Sequence, residues 1–408
     1  MAEQVWIAGV GMTKFARHTD RDVPHLAAEA VRDALADAGL ERRDVQAAFF
    51  GSTTQGALQG QLMVGGQIAL RGMGFERIPM FNVENACATG ATALHLAVSQ
   101  VRAGGVDIAL AVGAEKMNVA DRDRAMAVFN GAFDVSDPAA LTAALTALGG
   151  AADDAHVGER SVFMDIYAAM ARAHMRRFGT TQRQIAAVAA KNHRHSVHND
   201  KAQHRKEFSV EDVLSARALS FPLTVPMCAP LTDGAAAVVV CGRDGLRRLA
   251  ARGRSVRVLA SVVGTGVAHP LEAWEQHIGR LLALRAYEQA GVGPEDVDVA
   301  ELHDATAFGE IQQSELLGLC EPGAGGAAAE AGVTALGGRL PVNPSGGLES
   351  KGHPLGATGL AQVYELVCQL RAEAGVRQVP GARIAVAENG GGFYAGEEAV
   401  AAVTVLGA

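Results

Sequence analysis

The sequence predicts an α/β fold built from two copies of one strand-helix-strand unit. Residues 27–51 (AAEAVRDALADAGLERRDVQAAFFG) align without a gap with residues 279–303 (GRLLALRAYEQAGVGPEDVDVAELH), at a spacing of 252 positions. Residues 87–94 (CATGATAL) match residues 353–360 (HPLGATGL) at a spacing of 266 positions. Two matches in the same order indicate a duplicated domain.

Each copy contains the same elements in the same order. The first match is typical of an amphipathic helix that ends at Ala-Gly and is followed by a short apolar strand. The second match leads into another helix and then into an apolar strand, VDIALAVGAE in the first copy and ARIAVAENGGG in the second. This alternation predicts strands whose crossover helices cover the sheet.

A segment between the copies interrupts this pattern. Residues 118–220 are rich in small residues and then show helical spacing, which predicts an inserted and mostly helical domain. The apolar run that ends in GAAAVVVC follows it and completes the first copy. We therefore expect an N-terminal half from residues 1–117 and 221–250, and a C-terminal half from residues 251–408.

The composition is that of an ordinary globular protein of 408 residues, 49% hydrophobic and 20% charged. The net charge is -8 without a long basic run, so we expect no nucleic acid as a partner. No apolar run reaches the roughly 18 residues of a membrane span, and the N-terminus has no signal-peptide pattern. Five scattered cysteines without a CxxC pair indicate reduced thiols and a cytoplasmic location.

The duplication places Cys87 and His353 at equivalent positions, each in the turn before a helix. If the halves pack about a pseudo-twofold axis, a thiol and an imidazole meet in one cleft. The N–H groups of a helix N-terminus stabilise a thiolate, so we expect the Cys87 pKa to be lowered. His353 then suits a base that activates the thiol or a donor to a substrate carbonyl.

No resident metal or organic cofactor is indicated. His193, His195 and His198 are closely spaced, but no carboxylate or thiol completes a ligand set around them. The Gly-Val-Gly segments lack the GxGxxG pattern after a strand, which argues against a dinucleotide site.

Four motifs together resemble the thiolase superfamily, in particular the sterol-carrier-type thiolases and their bacterial acetyl-CoA acetyltransferase-like relatives. They are ENACATGATAL, HDATAF, NPSGGLESKGHPLGATG and the terminal ENGGG, and the resemblance covers nearly the whole chain. It implies a five-layered αβαβα fold with an inserted loop domain, assembled as a homodimer or homotetramer. It also implies the acyl-CoA chemistry of lipid metabolism, with a coenzyme A thioester as substrate and no permanently bound cofactor.

The resemblance also implies roles for individual residues. The cysteine that matches Cys87 is acylated, the histidine that matches His353 activates it, and the position of His303 helps to hold an oxyanion or water. The backbone N–H groups at Cys87 and Gly390 would form an oxyanion hole. Basic residues near the insertion neighbour the CoA phosphates in the family, which makes Lys191 and Arg194 candidates.

The chain departs from the family pattern where a second catalytic cysteine is expected. Glu388 occupies that position in the terminal motif, and Ala305 occupies it in the HDCF-type motif. Glu388 is either a base whose pKa is raised by burial or a residue that hydrogen-bonds nearby backbone. Asp304 is expected to orient His303 or the backbone.

Three functions follow from these observations. The first is an acyl-CoA C-acyltransferase that passes an acyl group from CoA to Cys87 and then to CoA or a carbon nucleophile. The second is a retro-aldol lyase that acts on a CoA thioester together with a small OB-fold partner, and the third is a non-catalytic acyl-CoA-binding scaffold. The intact Cys87 favours the first, because an aldol cleavage needs no acyl-enzyme.

Overall fold

The computed structural model describes residues 3–149, 160–249, 252–270 and 273–408. Residues 150–159 of the predicted insertion therefore lie outside the described residues. The strands are β1 (Val5–Met12), β2 (Ala47–Gly51), β3 (Met80–Val83), β4 (Ile108–Glu115), β5 (Ala218–Ser220), β6 (Leu223–Thr224), β7 (Gly234–Cys241), β8 (Val256–Gly264), β9 (Val299–Glu301), β10 (Ile384–Gly391) and β11 (Val400–Gly407).

Helices connect these strands and cover them. The helices are α1 (Val23–Ala38), α2 (Gln55–Gln59), α3 (Gly65–Gly72), α4 (Thr89–Arg102), α5 (Arg122–Ala127), α6 (Pro138–Gly149), α7 (Val162–Phe178), α8 (Gln182–Val197), α9 (Val210–Ser215), α10 (Arg243–Arg248), α11 (Ile278–Ala290), α12 (Ala307–Leu316), α13 (Gly325–Glu330) and α14 (Thr358–Leu370). Among the described residues, no helix is long and apolar enough to cross a membrane.

The strand order confirms the duplication. The main sheet runs β3-β2-β4-β7-β1-β8-β11-β10-β9, and its two halves meet where β1 pairs antiparallel with β8. Outward from this junction each half repeats the same pairings: an antiparallel pair, a second antiparallel pair and then a parallel pair. A parallel bridge from Ala300 to Val342 takes the place in the second half that β3 holds in the first.

The first sequence match forms the same local structure in both halves. Helix α1 ends at Gly39 with φ of 65°, and α11 ends at Gly291 with φ of 71°. Only glycine adopts this left-handed conformation without strain, which explains why both copies keep it. A 3-10 turn and a short strand follow in each case.

Helices α4 and α14 lie between the halves, and α1 and α11 each cover the outer face of one half, which gives the predicted five layers. Along β4, Ala109 and Ala111 pack in the core that contains α4 and α14, whereas Leu110 and Val112 pack in the core that contains α1. This alternation follows from the two-residue period of a strand. Helix α11 covers the sheet of the other half.

Glycines let the two central helices approach closely. A Cβ atom on Gly90 would lie 2.8 Å from the carbonyl oxygen of Gly356, and one on Gly359 would lie 2.6 Å from the amide nitrogen of Ala91. Real Cβ atoms do not occupy such positions, so the GAT sequences of both copies serve this contact. The turns that precede the two helices are thereby brought together.

The inserted segment forms a further layer. Between β4 and β7 the chain folds into α5 to α9 and the small β5–β6 sheet. Residues of α7 and α8 form one apolar core with Phe308 and Ile311 of α12. The insertion therefore lies on the C-terminal half, beside the start of α12.

Candidate active site

Cys87 lies in a 3-10 turn, Ala86–Ala88, between β3 and α4. Ala86 has φ of 48°, a left-handed conformation that costs a non-glycine residue about 1–2 kcal/mol and turns the chain sharply before the helix. The Cys87 side chain is 9% exposed and lines a cavity of 340 Å³. The thiol is thus presented to the cavity.

Two histidines of the C-terminal half lie close to this thiol. His303 follows β9, and His353 lies between a π-helical turn, Gly347–Lys351, and the 3-10 turn that precedes α14. One side-chain atom from each of Cys87, His303 and His353 lies within 4.8 Å of the others, and the two imidazole centroids are 5.2 Å apart. These atoms are close enough together to contact one metal ion or one substrate group.

Thr358 sets the orientation of His353. Its hydroxyl oxygen lies 2.7 Å from His353 Nδ1 and donates to the carbonyl oxygen of Pro354 at 3.1 Å. Because the single hydroxyl proton is used in that bond, Nδ1 is the donor to Thr358. His353 Nε2 is buried, receives no hydrogen bond from the described residues and keeps its lone pair for a proton.

The expected lowering of the Cys87 pKa is wrong. Burial, followed by the nearby carboxylate of Glu115, raises the pKa of the thiol to about 12. The backbone N–H groups of Cys87 and Gly392 hydrogen-bond towards the sulfur and oppose this shift, but burial outweighs them. Burial also lowers the pKa of His303 to about 4 and that of His353 well below its ordinary value, so thiol and imidazoles are neutral together.

The terminal glycine run approaches the Cys87 turn closely. A Cβ atom on Gly391 would lie 2.9 Å from the amide nitrogen of Ala88, so glycine is needed where β10 passes this turn. The N–H group that reaches the sulfur belongs to Gly392, two residues beyond the predicted Gly390. Gly390 itself pairs with Ala401 in the β10–β11 ladder.

Glu388 lies behind His303. Its Oε2 accepts a hydrogen bond from the His303 backbone N–H at 3.1 Å, which matches the second of the two roles expected for it. Burial, followed by the neighbouring Glu398, raises its pKa well above the ordinary value. The side chain is fully buried and is not part of the cavity wall.

Glu115 was not indicated by any motif, yet it joins the two halves at the site. Its carboxylate accepts hydrogen bonds from Ser52, from the backbone and hydroxyl of Thr54, from the Thr53 N–H, and from the Gly356 N–H at 2.9 Å. Gly356 belongs to the turn that follows His353. A single buried carboxylate therefore ties the end of β4 to the turn that carries the histidine.

The two candidates for CoA phosphate binding lie elsewhere. Lys191 is buried, forms an ion pair with Glu310 and donates to the carbonyl oxygen of Val342. The prediction for Lys191 is wrong, because its ammonium group is already satisfied in the interior. Arg194 is exposed and pairs with Glu207, and its role stays a prediction.

The cavity extends from Cys87 into the insertion. Phe163, Met164 and Tyr167 of α7 line it, whereas Met175 of the same helix does not. The Tyr167 hydroxyl lies 3.5 Å from His303 Nδ1. The cavity wall also includes two exposed arginines that sequence reasoning missed, Arg122 and Arg217.

The comparisons with known proteins show the family and the fold. Residues 5–213 match the model of the thiolase N-terminal domain, and residues 264–407 match that of the thiolase C-terminal domain-like family. The chain belongs to the thiolase family. This thiolase-family chain is 38% identical to sterol carrier protein 2 of Oryctolagus cuniculus over 397 residues, which is 95% of this chain and 69% of that protein.

A relative of similar length is the acetyl-CoA acetyltransferase of Methanothermobacter thermautotrophicus, which is 38% identical over 390 residues, 95% of this chain and 96% of that protein. Two solved structures share the fold. The Ltp2-ChsH2(DUF35) aldolase has a TM-score of 0.79 at 24% identity and covers 99% of this chain and 98% of its own. Human mitochondrial 3-ketoacyl-CoA thiolase in complex with CoA has a TM-score of 0.69 at 16% identity and covers 100% and 99%.

Proposed function

We propose that this chain is an acyl-CoA C-acyltransferase in which Cys87 carries the acyl group. The observation that carries this proposal is that the buried Cys87 thiol lies within 4.8 Å of side-chain nitrogens of His353 and His303 in the wall of one largely apolar cavity. A thiol with a neighbouring base whose ring is held by a third group is the arrangement of an activated nucleophile.

In the first half-reaction, His353 Nε2 accepts the Cys87 proton while the sulfur attacks the thioester carbonyl carbon. Because thiol and imidazole are both neutral in the free enzyme, the thiolate forms during the attack and not before it. The N–H groups of Cys87 and Gly392 stabilise the oxyanion of the tetrahedral intermediate. The CoA sulfur then leaves with the proton from His353, and the second half-reaction passes the acyl group to CoA or to a carbon nucleophile.

The cavity wall supports the placement of an acyl-CoA substrate. Phe129, Phe163 and Met164 offer an apolar surface to an acyl chain beside Cys87. Arg122 and Arg217 are exposed on the same cavity, where guanidinium groups suit the phosphates of CoA. The structure thus supplies better phosphate candidates than Lys191.

Intact-protein mass spectrometry after mixing with acetyl-CoA and longer acyl-CoAs tests this function. We expect one acyl adduct that is lost in Cys87→Ala, persists in Cys228→Ala and disappears when free CoA is added. Cys228 is the matched control because it is a second thiol in the wall of the same cavity.

Absence of an adduct with every donor, despite measured binding of the CoA ester, would refute the acyl-enzyme. Carbon–carbon cleavage that needs a co-expressed OB-fold partner would then favour the lyase, and binding without turnover would favour the scaffold.

The proposal includes a homodimer. Strand β3 is an edge of the main sheet, and Phe81 on it is 49% exposed. Leu62 and Met63 are 78% and 75% exposed and line one pocket with Asn82 and Val83 of this strand. Exposed apolar side chains that lie together mark an interaction surface. Sedimentation velocity should show a dimer for the wild type and a monomer for the Met63→Glu, Phe81→Glu variant, and a monomeric wild type would refute this assembly.

A further inference from the structure

A glutamate to which the sequence motifs assign no role lies in the cavity wall. Glu349 belongs to the π-helical turn before His353 and lines the same cavity as Cys87 and His303. Its side chain is 1% exposed. Its Oε1 accepts from Asn192 Nδ2 at 2.8 Å, whereas its buried Oε2 receives no hydrogen bond from the described residues.

Glu349 is part of a cluster with too many carboxyl groups for its cations. The Asn192 amide nitrogen also lies 3.0 Å from oxygens of Asp304 and Glu310, and Lys191 is the ammonium group that pairs with Glu310. Burial and then the neighbouring Glu349 raise the pKa of Asp304 well above its ordinary value, which favours a proton on one of the two carboxyl groups. The cluster therefore holds exchangeable protons beside the cavity.

Burial favours the protonated form of the Glu349 carboxyl at neutral pH. The pKa of Glu349 is raised to about 8, mainly by burial; the hydrogen bond from Asn192 opposes this shift, Glu310 adds to it, and Lys191 and Asp304 oppose it. On the cavity side, Glu349 acts electrostatically on the thiol of Cys228. A carboxyl group in this range can give and take a proton near pH 7 to 8.

The alternative carboxyl group is less well placed. Each of the two side chains has one hydrogen-bonded oxygen and one without a partner among the described residues, but Glu388 is not part of the cavity wall. Ala305 lines the cavity but carries no group that can move a proton. Among the described residues, the carboxyl group in the wall of this cavity is that of Glu349.

We propose that Glu349 is the catalytic acid and base for the carbon α to the thioester, a role that rests on the proposed acyl transfer. In the cleaving direction, Cys87 attacks the C3 ketone of a 3-ketoacyl-CoA and the C2–C3 bond breaks with its electron pair on C2. Glu349 gives its proton to C2, which releases acetyl-CoA. The Glu349 carboxylate then takes the thiol proton of the incoming CoA as that sulfur attacks acyl-Cys87, and His353 returns its proton to Cys87.

The test separates this proton transfer from acylation. Wild type, Glu349→Gln, Glu349→Asp and Glu388→Gln are each assayed for Cys87 acylation by butyryl-CoA and for deuterium uptake at C2 of acetyl-CoA in D₂O. We expect Glu349→Gln to acylate Cys87 within about threefold of wild type and to lose deuterium uptake by about 100-fold or more, the usual contribution of a general base. Glu349→Asp, which keeps a carboxyl group, should retain more uptake than Glu349→Gln.

Each other outcome decides against the proposal or supports it. If Glu349→Gln takes up deuterium within tenfold of wild type, or if uptake is lost in Glu388→Gln and kept in Glu349→Gln, the role does not belong to Glu349. If wild type acylates Cys87 but takes up no deuterium, the proton transfer is refuted and the acylation stands. If wild type takes up deuterium without acylation, the acyl-enzyme is refuted, and loss of uptake in Glu349→Gln alone still supports Glu349. If Glu349→Gln does not fold, Glu349→Met, which has no ionisable group, is assayed in its place; uptake within tenfold of wild type refutes the role, and loss of uptake by about 100-fold supports it.

Discussion

Replacing Thr358 by valine should slow acylation of Cys87 by leaving His353 without its partner. Valine has nearly the shape of threonine but cannot accept the hydrogen bond from His353 Nδ1, which is 2.7 Å long and fully buried. A buried N–H group without an acceptor costs about 1–3 kcal/mol. The imidazole then shifts towards the other tautomer, in which Nε2 carries a proton and can no longer accept one from the thiol.

The same free energy sets the size of the effect. Raising the barrier by about 1–3 kcal/mol slows a reaction by about 5- to 150-fold. The assay is the rate of appearance of acyl-Cys87 in a single turnover, followed by intact-protein mass spectrometry. Thr358→Ser is the matched control, because it keeps the hydroxyl group and should acylate close to the wild-type rate.

Two results would contradict this reasoning. Acylation of Thr358→Val at the wild-type rate would show that the tautomer of His353 is set by something else. Equal slowing in Thr358→Ser and Thr358→Val would show that the methyl group, and hence packing, controls the rate.

Three further predictions concern how the site is held together. Glu115→Gln leaves at least two hydrogen-bond donors without an acceptor and should lower the free energy of unfolding in urea by about 2–5 kcal/mol. Iodoacetamide should also modify Cys87 faster at pH 8, because a charge that raises the thiol pKa is removed. Unchanged stability and unchanged reactivity would contradict this prediction. Gly113→Ala places a Cβ atom against the backbone of the turn before α14. It should lower the free energy of unfolding by about 1–3 kcal/mol and slow acylation by about 100-fold. Gly131→Ala is the control, because its Cβ atom meets nothing within 4 Å. Between pH 6.5 and about 4, His303 is neutral in the folded protein but takes up a proton in the unfolded chain. The free energy of unfolding should therefore fall by up to about 3 kcal/mol as the pH falls through this range. His303→Asn should lose less stability over the same range, and an equal loss would refute the assignment.

The duplicated architecture was predictable because the glycines that it needs recur at a constant spacing. Gly39 and Gly291 end equivalent helices in the left-handed conformation, and Gly90 and Gly356 occupy matching places where the central helices touch. Local backbone constraints of this kind are visible in a sequence. The meeting of Cys87 with His353 follows from them, because equivalent turns in two packed halves face the same cleft.

What surrounds the thiol was not predictable in the same way. A helix N-terminus lowers a thiol pKa in isolation, but the depth of burial and the charge of Glu115 depend on segments far away in the chain. Lys191 shows the same limit: a basic residue in a charged stretch is expected at the surface, yet tertiary packing places it against Glu310.

The sequence by itself determined the repeated α/β unit, the family, and the nucleophile with its histidine, because these depend on local backbone conformation and on residue types at constant spacing. Only the tertiary structure decided that thiol and imidazole stay neutral and that Gly392 reaches the sulfur. It also decided that Glu349 and not Glu388 lines the cavity. Desolvation and the direction of a side chain are properties of the packed interior, and they arise only when distant parts of the chain come together.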